Sequence, residues 1–481
     1  MKRNVDRWLR SAKGRLALGA IFVAIVVVLG LGPELGLWEP GQLRRNLLGA
    51  ARWETRPADQ LQRVSLSRLG IEGNSDSFAP SITADGQFVA FLSTADNLIE
   101  LDSNGYQDVF LYELAQDEIT RITTGYDGSQ ANGASSDVQI SDDGRFVVFV
   151  SEASNLVGTD ANGHADVFLY DRQSGVTELV SRAPDGTQGD APSVQPALSS
   201  GAHFVAFVSL ADNLSPNDKN GVSDVYLYDR QEGTLELISV GSDGRQADDT
   251  NKYPTISASG RYVAYQSKST NLMPDDDGNN MFDIFLRDRQ EGVTELISRN
   301  VQGTAGNMES QRPSISNDGR YVAFESWASD LVEGDENYNS DVFVADRLTE
   351  RIEIVSVSSD GRQADHVNGG AVISGDGRYV AYSSLAGNLA VNDGNQLFDV
   401  YLRDRVRSET QLVSINANGQ AGNGVSISPS LTTAGTYIVF DSVATDLVSD
   451  DTNGRFDVFI FSTPAPVGTA QYSVFLPLIA R

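Results

Sequence analysis

The sequence predicts an all-β fold: a seven-bladed β-propeller of four-stranded blades, its last blade closed by an N-terminal strand, preceded by one transmembrane helix. Three observations predict it. An aromatic residue opening a [FY]-[VI]-x-[FY]-x-S string recurs at Phe88, Phe146, Phe204, Tyr262, Tyr321, Tyr379 and Tyr437, with spacings of 58, 58, 58, 59, 58 and 58 residues. Repetition at one fixed period is the signature of a repeat architecture, whose units bury a core only by stacking on each other. The seventh copy lacks a fourth strand pattern, and the missing strand stands at the other end: residues 62–65 align, two periods upstream, with residues 178–181.

From the N-terminus, residues 1–15 are basic, with Lys2, Arg3, Arg7, Arg10, Lys13 and Arg15. Residues 16–33 are uncharged and just long enough to span a bilayer. The basic flank belongs in the cytoplasm, which sends the remainder outward. A signal anchor in the cell membrane is therefore expected, with a cleaved export signal and a secreted protein as the alternative. Residues 34–60 form a stalk with an amphipathic stretch that suits a membrane surface.

The propeller is expected over residues 61–463. In its second unit, residues 138–140 make strand A, and Asp143-Gly144 a tight turn. Residues 146–150, rich in aromatic and β-branched side chains, make strand B; residues 166–170 make strand C; and residues 176–180 make strand D after a Ser174-Gly175 turn. The A–B and C–D turns are tight, whereas the B–C and D–A connections are long. An up-down blade puts both long connections on one face, where a rigid scaffold displays function. Residues 464–481 read as a linker and an apolar C-terminal tail.

The strings DGRFVVFVS, SGRYVAYQS, DGRYVAFES and DGRYVAYSS, each followed by DVFLYD, DIFLRD, DVFVAD or DVYLRD, resemble the TolB-like, WD40-like (PD40) propeller repeats. The resemblance implies an extracytoplasmic interaction platform. It implies no particular chemistry, because propellers host binding proteins and enzymes alike.

The net charge is −29, and residues 1–60 hold ten Lys/Arg against five Asp/Glu, so the propeller carries the whole acidic excess. Such a surface repels nucleic acid and favours cations or basic partners. With no cysteine, disulfides, thiolate metal sites and a catalytic thiol are excluded. The three histidines, His164, His203 and His366, do not recur from unit to unit. No G-x-S-x-G nucleophile string occurs. The expectation is a binding protein rather than an enzyme, offering its long-loop face to a protein or cell-surface polymer. The alternative is a hydrolase or lyase acting at the central channel. It would break the repeat's uniformity there, and Lys252, Tyr253 and His366 are the nearest irregularity.

Each B–C loop carries D-x-N-x-x-x-D. The seven triads are Asp102, Asn104, Asp108; Asp160, Asn162, Asp166; Asp218, Asn220, Asp224; Asp277, Asn279, Asp283; Asp335, Asn337, Asp341; Asp393, Asn395, Asp399; and Asp451, Asn453, Asp457. Hard oxygen donors at this spacing can wrap calcium. The same residues also build Asx-turns, which a long loop needs to satisfy its backbone. Upstream, Leu98, Leu156, Leu214, Leu272, Leu331, Leu389 and Leu447 recur as the side chains that pin each loop to its blade.

Overall fold

The computed structural model describes residues 60–273 and 279–463. The basic N-terminus, the expected membrane span, the stalk and the C-terminal tail lie outside the described residues. Among the described residues, no helix is long and apolar enough to cross a membrane.

Seven four-stranded antiparallel sheets follow one another. In the first blade, strand A is Ser77–Ile82, B is Phe88–Ser93, C is Asp108–Glu113 and D is Glu118–Arg121. The later blades repeat this order, with strands A at Ser135–Ile140, Ser193–Leu198, Asn251–Ile256, Ser310–Ile315, Asn368–Ile373 and Ser426–Leu431. Strand A begins three residues before the position read from the sequence. Its first half is polar and bulged, so it shows no strand alternation.

The seventh blade takes its fourth strand from Leu61–Arg63, antiparallel to Asp457–Ser462 with Leu61 opposite Phe461 and Arg63 opposite Phe459. The ring is thus closed by hydrogen bonds between the two ends of the propeller, and the seventh blade has the same four strands as the others.

Each blade is built on one aromatic pair across strands B and C, such as Phe91–Phe110, Phe207–Tyr226 and Tyr382–Tyr401, with ring centroids 5.9 Å apart. Such pairs add about 0.5–1.5 kcal/mol each beyond their buried area. Adjacent blades lock through the aromatic that opens strand B. The tight A–B turn of the next blade lies on that ring, so closely that a Cβ at Gly319 would stand 2.1 Å from the Tyr262 ring. Gly319 has φ +73°, so both the turn and the contact require glycine. The loop leucines are buried as expected, Leu98 at 1 % exposure and Leu331 at 3 %.

On the tight-turn face, Arg145 grips Asp171 with two parallel hydrogen bonds of 3.1 and 2.7 Å, and Arg261, Arg320 and Arg378 do the same to Asp288, Asp346 and Asp404. The Arg145 guanidinium holds the Asp171 carboxyl at about 2. In the third blade His203 stands in for the arginine, 3.2 Å from Asp229 and stacked on Phe204. A non-recurring histidine therefore has a structural place.

Candidate functional site

The acidic loops are held by their own side chains. In the third blade the Asn220 amide nitrogen donates to Asp224 Oδ2 at 2.8 Å and to the Ala247 carbonyl at 2.9 Å, in the D–A connection that follows. Asn220 Oδ1 accepts the Val222 amide at 3.0 Å, an Asx-turn. Ser239, just after strand D, donates to Asp224 Oδ1. Every described loop repeats the bond from asparagine to closing aspartate, from Asn104 to Asp108 at 2.9 Å through Asn453 to Asp457 at 2.9 Å. The hydroxyl partner recurs as Thr123, Ser181, Ser298, Ser356, Ser414 and Ser65.

The opening aspartates are partnered less uniformly. Arg121 bonds Asp102 at 2.9 Å, Gln363 bonds Asp335 at 3.2 Å, and Gln188 reaches Asp160 at 3.5 Å. Tyrosine hydroxyls donate to Asp218 (Tyr226) and Asp393 (Tyr401). Arg63 stands 3.3 Å from Asp451. Asp277 lies outside the described residues.

Most of the carboxylate oxygens that calcium would need thus already accept hydrogen bonds, from the loop asparagine and from the strands and connection that follow, whereas both oxygens of Asp451 accept none. Among the described residues, no group of three or more histidine, aspartate or glutamate side chains is placed to hold a metal ion. Burial pushes Asp224 and Asp341 up to about 6 and Asp399 to about 7, despite these bonds. The hydrogen-bonded loop predicts that Asn220→Ala costs about 1–3 kcal/mol, because it removes one donor from the buried Asp224 carboxylate, which Gln246 and Ser239 still serve, and leaves the Ala247 carbonyl without its partner. That loss should be the same in chelator and in millimolar calcium by thermal melting. A calcium-dependent rise in melting temperature that Asn220→Ala abolishes would make the ion the loop's ligand.

The repeat breaks at the inner edge of the ring. Strand A is the edge strand of each sheet, and it packs on strand A of the neighbouring blades. Its third residue is left-handed in every blade: Ala79, Asp137, Gln195, Tyr253, Arg312, Gly370 and Ser428, with φ between 48° and 65°. A register shift against strand B accompanies it each time. This is a β-bulge, which twists the strand and re-aims one side chain. It also takes one amide out of the ladder, and that amide needs another acceptor.

The preceding blade supplies the acceptor, by different means at different places. Asp441 accepts from the Ala79 amide at 3.0 Å, Asp137 from Gln195 at 3.1 Å, Gln195 from Tyr253 at 2.9 Å and Gln266 from Arg312 at 3.0 Å. Glu325 accepts from Gly370. The fifth residue of strand B follows suit. It is apolar in the first three blades (Leu92, Val150, Val208) and polar in the last four (Gln266, Glu325, Ser383, Asp441). Burial pushes Asp441 up to about 7 and raises Glu325.

Three side chains at this edge cap nothing. Among the described residues, the Lys252 ammonium, the Tyr253 hydroxyl and the Arg312 guanidinium donate no hydrogen bond. Arg312 lies 5.4 Å over the Tyr253 ring, and Lys252 lies 5.4 Å from the Phe282 ring. They belong to adjacent blades, the fourth and fifth, at the end of strand A nearer the long-loop face. Sequence reasoning singled out Lys252 and Tyr253. It missed Asp137, Gln195 and Arg312, which aligning the third residue of strand A across the seven copies would have found, and Glu325, which aligning the fifth residue of strand B would have found. His366 is exposed in a D–A connection, where its carbonyl accepts from Asn368 at 3.0 Å, and takes no part in the bulge ring.

No family model and no curated protein matches the chain. Solved structures do. An oligogalacturonate lyase in complex with manganese aligns at TM-score 0.50 and 12% identity, over 84% of this chain and 93% of that one. The β-propeller domain of the Trilobed protease from Pyrococcus furiosus aligns at TM-score 0.49 and 10% identity, over 80% and 95%. TolB from Acinetobacter baumannii aligns at TM-score 0.37 and 14% identity, over 74% and 76%.

The chain is a seven-bladed β-propeller, and the likeness to these solved structures is one of fold. The expectation that it is not an enzyme is corrected: a lyase shares this fold. That expectation rested on the lack of a linear catalytic string. In a propeller the groups that meet at the channel come from different blades, some 58 residues apart, so a catalytic set leaves no such string.

Proposed function

We propose that the protein is a ligand-binding propeller whose ligand enters from the long-loop face and seats on Lys252, Tyr253 and Arg312. One observation carries the reading. Seven copies agree almost everywhere, yet differ at the bulge ring, and there Arg312 lies over the Tyr253 ring while the neighbouring Lys252 lies by Phe282. In a protein of net charge −29, a local pair of cations selects an anionic group, and the Tyr253 ring offers a stacking surface for a sugar or planar ligand. An anionic cell-surface polymer fits this chemistry. The basic residues 1–15 and uncharged residues 16–33 support presentation outside the cytoplasm from a membrane anchor.

Glu325 favours a second reading. It is half-buried at the same edge, with a carboxyl raised by burial, the property of a general acid or base. A hydrolase or lyase would use it beside Arg312, whose positive charge lowers its pKa in part.

Calorimetric titration with oligogalacturonate as the anionic probe tests the binding reading. Arg312→Ala and Lys252→Ala should each weaken binding about tenfold, the worth of one charge-assisted contact. Tyr338→Ala, exposed in an acidic loop, should leave it unchanged. Binding that ignores the channel variants and follows the loop variant would move the site to the outer loops. Cleavage of the probe that Glu325→Gln abolishes would establish the second reading.

A further inference from the structure

The tight-turn face carries a second broken repeat. Just after strand C, five blades present an arginine to the blade before. Arg172, Arg230, Arg289, Arg347 and Arg405 lie 3.9, 4.2, 4.6, 4.3 and 4.4 Å over Phe88, Phe146, Phe204, Tyr262 and Tyr321. Four of them also pair with an acid of that blade: Glu178, Glu236, Glu295 and Glu353. The guanidinium is fixed by a turn carbonyl of its own blade, as Arg347 donates to Gly319 O at 2.7 Å.

In the seventh blade this position is Thr463. Its amide donates to Thr436 O at 2.9 Å, as Arg347 N does to Arg320 O at 3.0 Å, so the backbone register is kept. Its hydroxyl takes the turn carbonyl, Gly435 O, at 2.9 Å. Arg378, from the ring's own blade, lies 4.7 Å over Tyr379. Among the described residues, no guanidinium of the seventh blade joins it, whereas Phe146, Tyr262 and Tyr321 each have two. A groove of about 840 Å³ opens there, lined by Tyr379, Glu409, Thr463 and Asp404 among others, with Arg378 and Arg407 in its wall, both turned to Asp404.

We propose that this groove docks an arginine side chain presented by a partner polypeptide. Five internal junctions show what the space is shaped for: a guanidinium on an aromatic face, with a turn carbonyl beside it. The acidic balance of the propeller attracts such a partner. A threonine in arginine's place removes the built-in guanidinium from the aromatic face, while its own hydroxyl holds the turn carbonyl.

The test titrates the full chain with a blocked peptide carrying one arginine, and with its twin carrying neutral citrulline. Saturable binding is expected, about tenfold weaker for citrulline, the scale of a cation–π contact with partial desolvation. Tyr379→Ala should weaken it similarly. Thr463→Arg should abolish it by supplying the missing guanidinium, while melting at or above the parent temperature. Four results would each overturn the proposal: no saturable binding to the parent, equal binding of citrulline, unchanged binding by Thr463→Arg, or binding only after residues 464–481 are removed. The last would assign the groove to the chain's own C-terminal segment.

Discussion

Replacing Arg63 with alanine is expected to destabilise the propeller by about 3–5 kcal/mol, the cost of stranding buried charges whose partner is removed. Arg63 lies in the three-residue strand that closes the ring and is 4 % exposed. Its Nη1 stands 3.0 Å from Glu72, 3.3 Å from Asp451 and 3.4 Å from Asp457. Three carboxylates thus converge on one guanidinium, and Asp451 is already pushed up to about 6 by burial and by Asp457. The equivalent positions in the second, third, fourth and sixth blades hold leucine: Leu179, Leu237, Leu296 and Leu412. The first blade holds Arg121 there, 2.9 Å from Asp102, so an arginine at this position ties strand D to its acidic loop, and at the seam that tie joins the two ends of the propeller. Urea unfolding of the parent and the variant measures the difference. A loss below about 1 kcal/mol, as for an exposed pair, would contradict this role for Arg63.

Stability should fall as pH rises from about 4.5 to 8, opposite to a protein stabilised by paired carboxylates. The buried carboxyls of Asp224 and Asp341 stand at about 6 and those of Asp399 and Asp441 at about 7, all raised by burial. In the unfolded chain an aspartate titrates near 3.9. Between these values the native state holds more protons than the unfolded state, so stability decreases with pH through that window. The effect is fully favourable below the unfolded value and is lost above the folded one. Asp171, held at about 2, works the other way, but only below about pH 4, where protonation removes its pairing with Arg145. Calorimetric melting should therefore be higher by several degrees at pH 5 than at pH 8. Asp441→Asn should remove part of the slope, since an amide can still accept from Ala79. A melting temperature that climbs steadily to pH 8 would contradict the burial of these groups.

The ring was legible in the sequence because its determinants are local and repeated. The [FY]-[VI]-x-[FY]-x-S string encodes both the B–C aromatic pair and the ring that receives the next blade's glycine turn. Closure was legible too, since residues 62–65 align with residues 178–181. The acidic loops were visible as a pattern but not as an arrangement: Asp-x-Asn-x-x-x-Asp suits an ion and an Asx-turn equally. In the folded loop the Asn220 nitrogen, not its oxygen, faces Asp224. The bulge ring was hidden for a different reason. Arg312, Gln195 and Asp137 look like ordinary variable strand residues until the left-handed backbone puts all three on the inner edge.

The measurement that bears most directly on the channel-mouth site is amide hydrogen exchange of the full chain with and without saturating oligogalacturonate. Ligand seated on Lys252, Tyr253 and Arg312 predicts added protection confined to residues 251–254 and 310–313. Protection spread over the seven acidic loops, with strands A unchanged, would contradict it.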